Sequence, residues 1–178
     1  MGKITRVKPV KLIAGFIFKD EKYFNQSEII LSRKFGKVDF KSLILPFNYT
    51  DYYAKEMGSG LSRAFISFKD LISPRDLAAV KVLTNRIEEK LSLKGKRLVN
   101  IDPGYLDAAR LVLASTKDYA HRLYLDRGIF AETTLIFKGH SFKDLEWTYP
   151  DYKSKEYLEI FSAIREIFLR QCQSAQHI

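Results

Sequence analysis

Cysteine is nearly absent from this chain. Cys172 stands alone in a C-terminal stretch of helical pattern, so no disulfide can close within the chain and no cysteine-rich zinc site can form. A reducing cytoplasm is the compartment that fits. Histidine is almost as scarce: His121, His140 and His177 are scattered without an H-x-x-x-H pair, which excludes a histidine-rich metal centre and predicts no metal site. Glycine-rich phosphate cradles of the G-x-x-x-x-G-K-S/T and G-x-G-x-x-G types are missing, as is a G-x-S-x-G nucleophile elbow. Hydrophobic runs are short. The longest, Leu12 to Phe18, falls well below the roughly 20 residues of a membrane span, and the basic segment before it leads into "KDEK" rather than a small-residue cleavage site. The expectation is a chain with no membrane span, no cleaved signal and no cofactor that its motifs can name.

What is present is apolar substance and positive charge. With 46% apolar residues, 178 positions suffice for one domain spanning 1–178. Thirty Lys and Arg against 21 Asp and Glu leave a formal charge of +9, which attracts polyanionic partners at long range and says nothing about fold. The excess gathers at Lys3, Arg6, Lys8, Lys11 and Lys19, before the first acid at Asp20, and again at Lys94, Lys96 and Arg97. Such clusters serve either a phosphate-bearing ligand or plain solvation.

The unbroken run "VKLIAGFIF" from residue 10 to 18 predicts a strand buried on both faces. Asp20 then caps a helix with apolar positions Tyr23, Phe24, Ile30, Leu31 and Phe35, which Gly36 ends. "KVDFKSLIL" reads as a second strand stopped by Pro46, and "RAFISF" as a third. Ser73 and Pro74 start a helix with Leu77, Val80, Leu83, Ile87 and Leu91 on one face, and "RLVNI" makes a fourth strand. Asp102, Pro103 and Gly104 suit a type II turn. The order is β-α-β-β-α-β, so the expected fold is α+β, with a ferredoxin-like unit over 10–101. An extension over 105–172 adds a helix (105–116), a hairpin and a final helix bearing Tyr157, Phe161, Ile164 and Phe168.

The hairpin joins strands at 117–125 and 129–138 through Asp126, Arg127 and Gly128. A three-residue loop with glycine in the left-handed region pairs His121 with Thr133, Leu123 with Ala131, Leu125 with Ile129 and Tyr119 with Leu135. The other face then pairs Arg122 with Glu132 and Tyr124 with Phe130, leaving one apolar face for the core and one charged face.

Within "STKDYAHRLYL" this arrangement gathers the candidate chemistry. His121 is a general base with a near-neutral unperturbed pKa, oriented by Asp118 or Glu132, and Lys117 and Arg122 hold anionic groups. The alternatives are a hydrogen-bonded core histidine and a cross-strand ion pair. Asp102 lies at a strand end, where ligands settle in open α/β sheets, and also suits the first position of a turn. In the long aromatic loop "PFNYTDYYAKEMGSGL", Asp51 and Tyr52 belong either to a mobile lid or to a cover for the sheet.

The segments "RLVNIDPGYLDAARLVLASTKDYAHRLYL", "GIFAETTLIF", "EWTYPDY" and "PFNYTDYYAKEMG", with Thr84 and Asn85, closely resemble the bacterial family called domain of unknown function 4416. The resemblance covers nearly the whole chain. It implies a prokaryotic cytoplasmic protein and brings no activity with it. The β-α-β-β-α-β order also looks like the core of the RNA-recognition motif, with "AFISF" on the third strand and Phe16 and Phe18 on the first, although Ser62 and Arg63 replace its glycine-aromatic pair.

These readings give three expectations for function. The first is a pocket for a small anionic, nucleotide-like ligand, formed by Asp102, Lys117, Asp118, His121, Arg122 and Glu132. The second is an RNA-binding module using sheet aromatics. The third is an interaction protein without a pocket. None of them decides whether a bond is made or broken.

Overall fold

Apolar residues in an unbroken row need cover on both faces, and in the computed structural model Val10–Phe18 forms strand β1, buried at every position. Residues 2–5 and 7–174 are described; Arg6 and His177 lie outside them. Asp20 accepts the Lys22 N–H at the start of helix α1 (Glu21–Phe35), and Gly36 ends it at φ 89°.

The expected second strand is two short ones, β2 (Val38–Lys41) and β3 (Leu45–Phe47), both paired with β4 (Leu61–Ile72). Pro46 therefore sits inside β3 rather than ending it, which its missing N–H permits because β3 pairs on one side only. A one-turn helix α2 (Ala54–Met57) interrupts the aromatic loop. A 3-10 turn at Pro74–Asp76 leads into α3 (Leu77–Lys90), and β5 (Val99–Leu106) follows.

Two expectations fail around β5. Asp102, Pro103 and Gly104 form no turn but continue the strand, paired with Gly15, Ala14 and Ile13 of β1. Gly104 is there for close approach, since a Cβ on it would meet the Val112 carbonyl oxygen at 2.4 Å. Residues 105–116 are not helical: β6 (Arg110–Ser115) turns back along β5. Asp107 makes that turn by accepting the N–H groups of Ala109 and Arg110 at 2.8 and 2.9 Å. Pairing on both sides then overrides the helix propensity of the alanines and leucines.

Strands β7 (Leu123–Asp126), β8 (Ile129–Lys138) and β9 (Ser141–Asp144) complete the sheet. Leu123 pairs with Ala131 and Tyr124 with Phe130 as expected, but a bulge puts Asp126, not Leu125, opposite Ile129. The connection is a two-residue turn, with Arg127 at φ 54° and Gly128 at φ 74°. Residues 117–122 are not strand. Thr133 and Leu135 pair with Val112 and Leu111 of β6 instead of His121 and Tyr119. Burial is also the reverse of the expectation: Leu123 is 76% and Leu125 39% exposed, while Arg122 and Glu132 are buried. The cause is position, because β7 is an outer strand with no layer packed on its leucines.

Spatially the antiparallel sheet runs β2-β4-β1-β5-β6-β8-β7. Phe16, Phe18 and Phe68 pack with Phe24 and Leu31 of α1 and Val80 and Ile87 of α3 in one core. Phe65 enters a second core on the opposite face with Tyr157, Phe161 and Ile164 of α4 (Lys155–Ser174). Phe16, Phe18, Phe65 and Phe68 are at most 1% exposed, so their rings are not free to stack on a base. The mixed α+β architecture stands.

Candidate functional site

The β5–β6 ladder pairs only Gly104 to Leu106 of β5. Before Gly104 the two strands make no pair, and a cavity of about 740 Å³ opens there. Asn100 and Asp102 of β5, Leu113 to Ser115 of β6 and Arg63 of β4 line its inner side.

Arg63 reaches the cavity because Gly15, opposite Asp102 on β1, lacks a side chain. A Cβ there would meet the guanidinium at 2.8 Å and the Phe65 ring at 2.9 Å. The guanidinium donates to Asp102 Oδ2 at 3.3 Å and to the Tyr152 hydroxyl at 2.5 Å, and lies 4.7 Å from the Phe65 ring centre. Burial disfavours its charge, yet the Tyr152 oxygen, Asp102 and Asp151 outweigh that and hold it firmly protonated.

On α3, Lys81, Asn85 and Glu88 follow one another at helical spacing and form one wall. They also serve the backbone that β6 leaves unpaired: Lys81 Nζ donates to the Ile101 carbonyl at 2.9 Å, and Glu88 Oε1 accepts the Ile101 N–H at 2.8 Å. Lys81 Nζ stands 3.9 Å from both Glu88 Oε1 and Asp102 Oδ1. Burial raises the Glu88 carboxyl above its ordinary range, against the pull of Lys81. Arg97 ties this wall to the aromatic loop. It grips Glu56 of α2 with Nε and Nη2 at 2.9 and 2.7 Å, and its Nη1 donates to Glu88 at 3.2 Å and Asn100 at 2.8 Å. Asn100 in turn donates to Asp102 at 2.9 Å.

The stretch "STKDYAHRLYL" closes the other side. Arg122 Nε donates to Glu132 at 2.6 Å, Nη1 to Ser115 Oγ at 2.8 Å and the Lys117 carbonyl at 3.0 Å, and Nη2 to the Tyr149 hydroxyl at 3.2 Å. Most of its donors are used inside the protein, so it fixes the shape of the segment. Lys117 is exposed, stands 4.3 Å from the Tyr52 ring centre and makes no ion pair among the described residues. His121 Nε2 lies 3.2 Å from Glu132 Oε2, with its ring stacked on Trp147 at 5.3 Å.

The structure thus brings Asp102, Lys117, Arg122, Glu132 and Tyr52 to one cavity. His121 stands behind Glu132, while Asp118 and Asp51 are exposed and outside the lining. Arg63, Lys81, Glu88, Arg97 and Asp151 were not expected there. Arg63 carried a signal, the one charge within the buried stretch Leu61 to Phe68 of β4. The α3 residues carried none, because a polar helical stripe reads as a solvent face. Asp151 is 7% exposed, and burial raises its carboxyl although Arg63 opposes the shift. Tyr53 is shifted upward by burial and then by Asp102, so its phenol stays neutral and able to donate. Among the described residues no three His, Cys, Asp or Glu side chains group as metal ligands, and no helix is long and apolar enough to cross a membrane.

Fold and site together define an α+β protein whose antiparallel sheet parts around a cavity lined by apolar side chains and by charges of both signs. The chain belongs to the family described as domain of unknown function (DUF4416), whose family model matches residues 8–168. No curated protein and no solved structure matches it.

Proposed function

We propose that the cavity binds a small ligand carrying a phosphate or carboxylate, of nucleotide-like size. The observation that carries this reading is Lys117, a cation without an ion-pair partner among the described residues, beside a cavity of about 740 Å³. That volume falls within the roughly 300–1,000 Å³ of small-molecule sites. Tyr49, Tyr52, Tyr53 and Tyr119 add flat faces and hydroxyls around it. In this reading Lys117 meets the anion and Arg122 positions the segment that presents Lys117. Glu132 reaches the ligand, with His121 behind it as its proton partner. The strand order β2-β4-β1-β5, with α1 and α3 against one face, supports a ferredoxin-like unit beneath the site.

A thermal-shift panel of phosphate and carboxylate compounds tests the proposal. A ligand at 100 times its Kd adds about 2.7 kcal/mol, or roughly 5–10 °C for a chain of this size. The gain should shrink sharply in Lys117→Ala. No stabilisation by any compound, or an equal gain in the variant, counts against it.

A further inference from the structure

Charge is distributed unevenly along the cavity. On the side of "STKDYAHRLYL", Arg122 and Glu132 satisfy each other at 2.6 Å, which leaves Lys117 as a net positive charge. On the inner side Arg97 is matched by Glu56 at 2.7 Å. Arg97 also bonds Glu88 at 3.2 Å, so Arg63, Lys81 and Arg97 together serve four carboxylates, Glu56, Glu88, Asp102 and Asp151. The inner wall is left one positive charge short.

Asp151 is where the shortfall is felt. Its side chain makes no ion pair and no hydrogen bond to another side chain among the described residues; Arg63 and Asp102 act on it at longer range, and backbone N–H groups of its own turn help to solvate it. More than nine-tenths buried and lining the cavity, it has Arg63 as an opposing charge only beyond ion-pair distance, and Arg63 is bonded to Asp102. An anionic group at this end would face Asp102 and Asp151 together, so the two ends of the pocket call for opposite ligand charges.

We infer that the ligand is bipolar, with its phosphate or carboxylate on Lys117 and a protonated amine against Asp151 and Asp102 at the inner wall. The Tyr53 ring lines the same cavity and adds an aromatic surface for an ammonium group. Binding the amine supplies the close counter-charge that Asp151 lacks, and so offsets the cost of its burial. The inference rests on the reading of the cavity as an anion-binding site and adds the second recognition element.

Calorimetry with ω-aminoalkyl phosphates of graded chain length and their ω-hydroxy counterparts separates the two claims. At the best length the amino compound should bind wild type about tenfold more tightly than its hydroxy partner, the worth of one charge-assisted hydrogen bond. Asp151→Asn, nearly isosteric, should bring that ratio close to one, whereas Lys117→Ala should weaken both compounds and keep the ratio. If no amino compound outbinds its hydroxy partner, or Asp151→Asn leaves the ratio intact, the inference is overturned. Equal binding of both series with loss in Lys117→Ala would leave the anion site standing alone.

Discussion

Replacing Arg63 with methionine removes the guanidinium that joins β4, β5 and the turn before α4. Arg63 is 1% exposed and bonds Asp102 at 3.3 Å and Tyr152 at 2.5 Å. Removing one partner of a buried pair costs about 3–5 kcal/mol, largely from the charge left behind. Asp102 moderates the loss, because it is 27% exposed at the side chain and keeps Asn100 at 2.9 Å and Lys81 at 3.9 Å. Methionine refills much of the space against Phe65, which is also favourable. The Tyr152 hydroxyl, however, is left buried and unpaired, at about 1–3 kcal/mol. The expected net loss is about 3 kcal/mol, or roughly 6–12 °C in Tm for a chain of this length. Urea denaturation followed by Trp147 fluorescence should show a lower midpoint with an unchanged slope. Arg63→Met combined with Asp102→Asn should cost at least about 1 kcal/mol less than the sum of the single changes, since the orphaned carboxylate is gone. A single-variant loss below about 1 kcal/mol, or strict additivity, would refute the view that Arg63 is held by its buried partners.

Gly104→Ala places a Cβ 2.4 Å from the Val112 carbonyl, so the pairing that closes one end of the cavity must shift; a loss of about 1–3 kcal/mol is expected by denaturation. Leu123→Lys should change stability by less than about 0.5 kcal/mol because the leucine is 76% exposed, and a core-sized loss would contradict the outward face of β7. Asp151→Asn should raise Tm at neutral pH. Its folded-state pKa is raised by burial, so above the unfolded value of about 3.9 the native protein holds a proton that the unfolded chain has released, and stability falls as pH climbs toward the folded value. The variant should flatten that fall in Tm-against-pH scans, and an unchanged profile would show that Asp151 is adequately paired.

The parts of the fold legible in the sequence were those with local causes. The uninterrupted run of β1, the Asp20 and Gly36 caps of α1 and the Pro74 start before α3 each fix an element within a few residues. Residues 105–116 were misread because alanine and leucine favour a helix in isolation, whereas Asp107 and the flanking strands decide the outcome in the folded chain. Much the same holds for the site. "STKDYAHRLYL" stands out for its density of ionisable groups, and Arg122 does meet Glu132, but through their side chains and not as a strand pair of the expected hairpin. Arg63 meets Asp102 only because β4 and β5 flank β1 and Gly15 leaves a gap between them, a coincidence of topology with no trace in local pattern.

Native mass spectrometry of the protein purified without denaturation, followed by release and identification of whatever is bound, tests the anion-binding cavity most directly. The expected result is a phosphate- or carboxylate-bearing small molecule bound one to a chain in wild type and largely lost in Lys117→Ala. Equal occupancy in the two proteins, or a bare chain whose melting no such compound shifts, would contradict it.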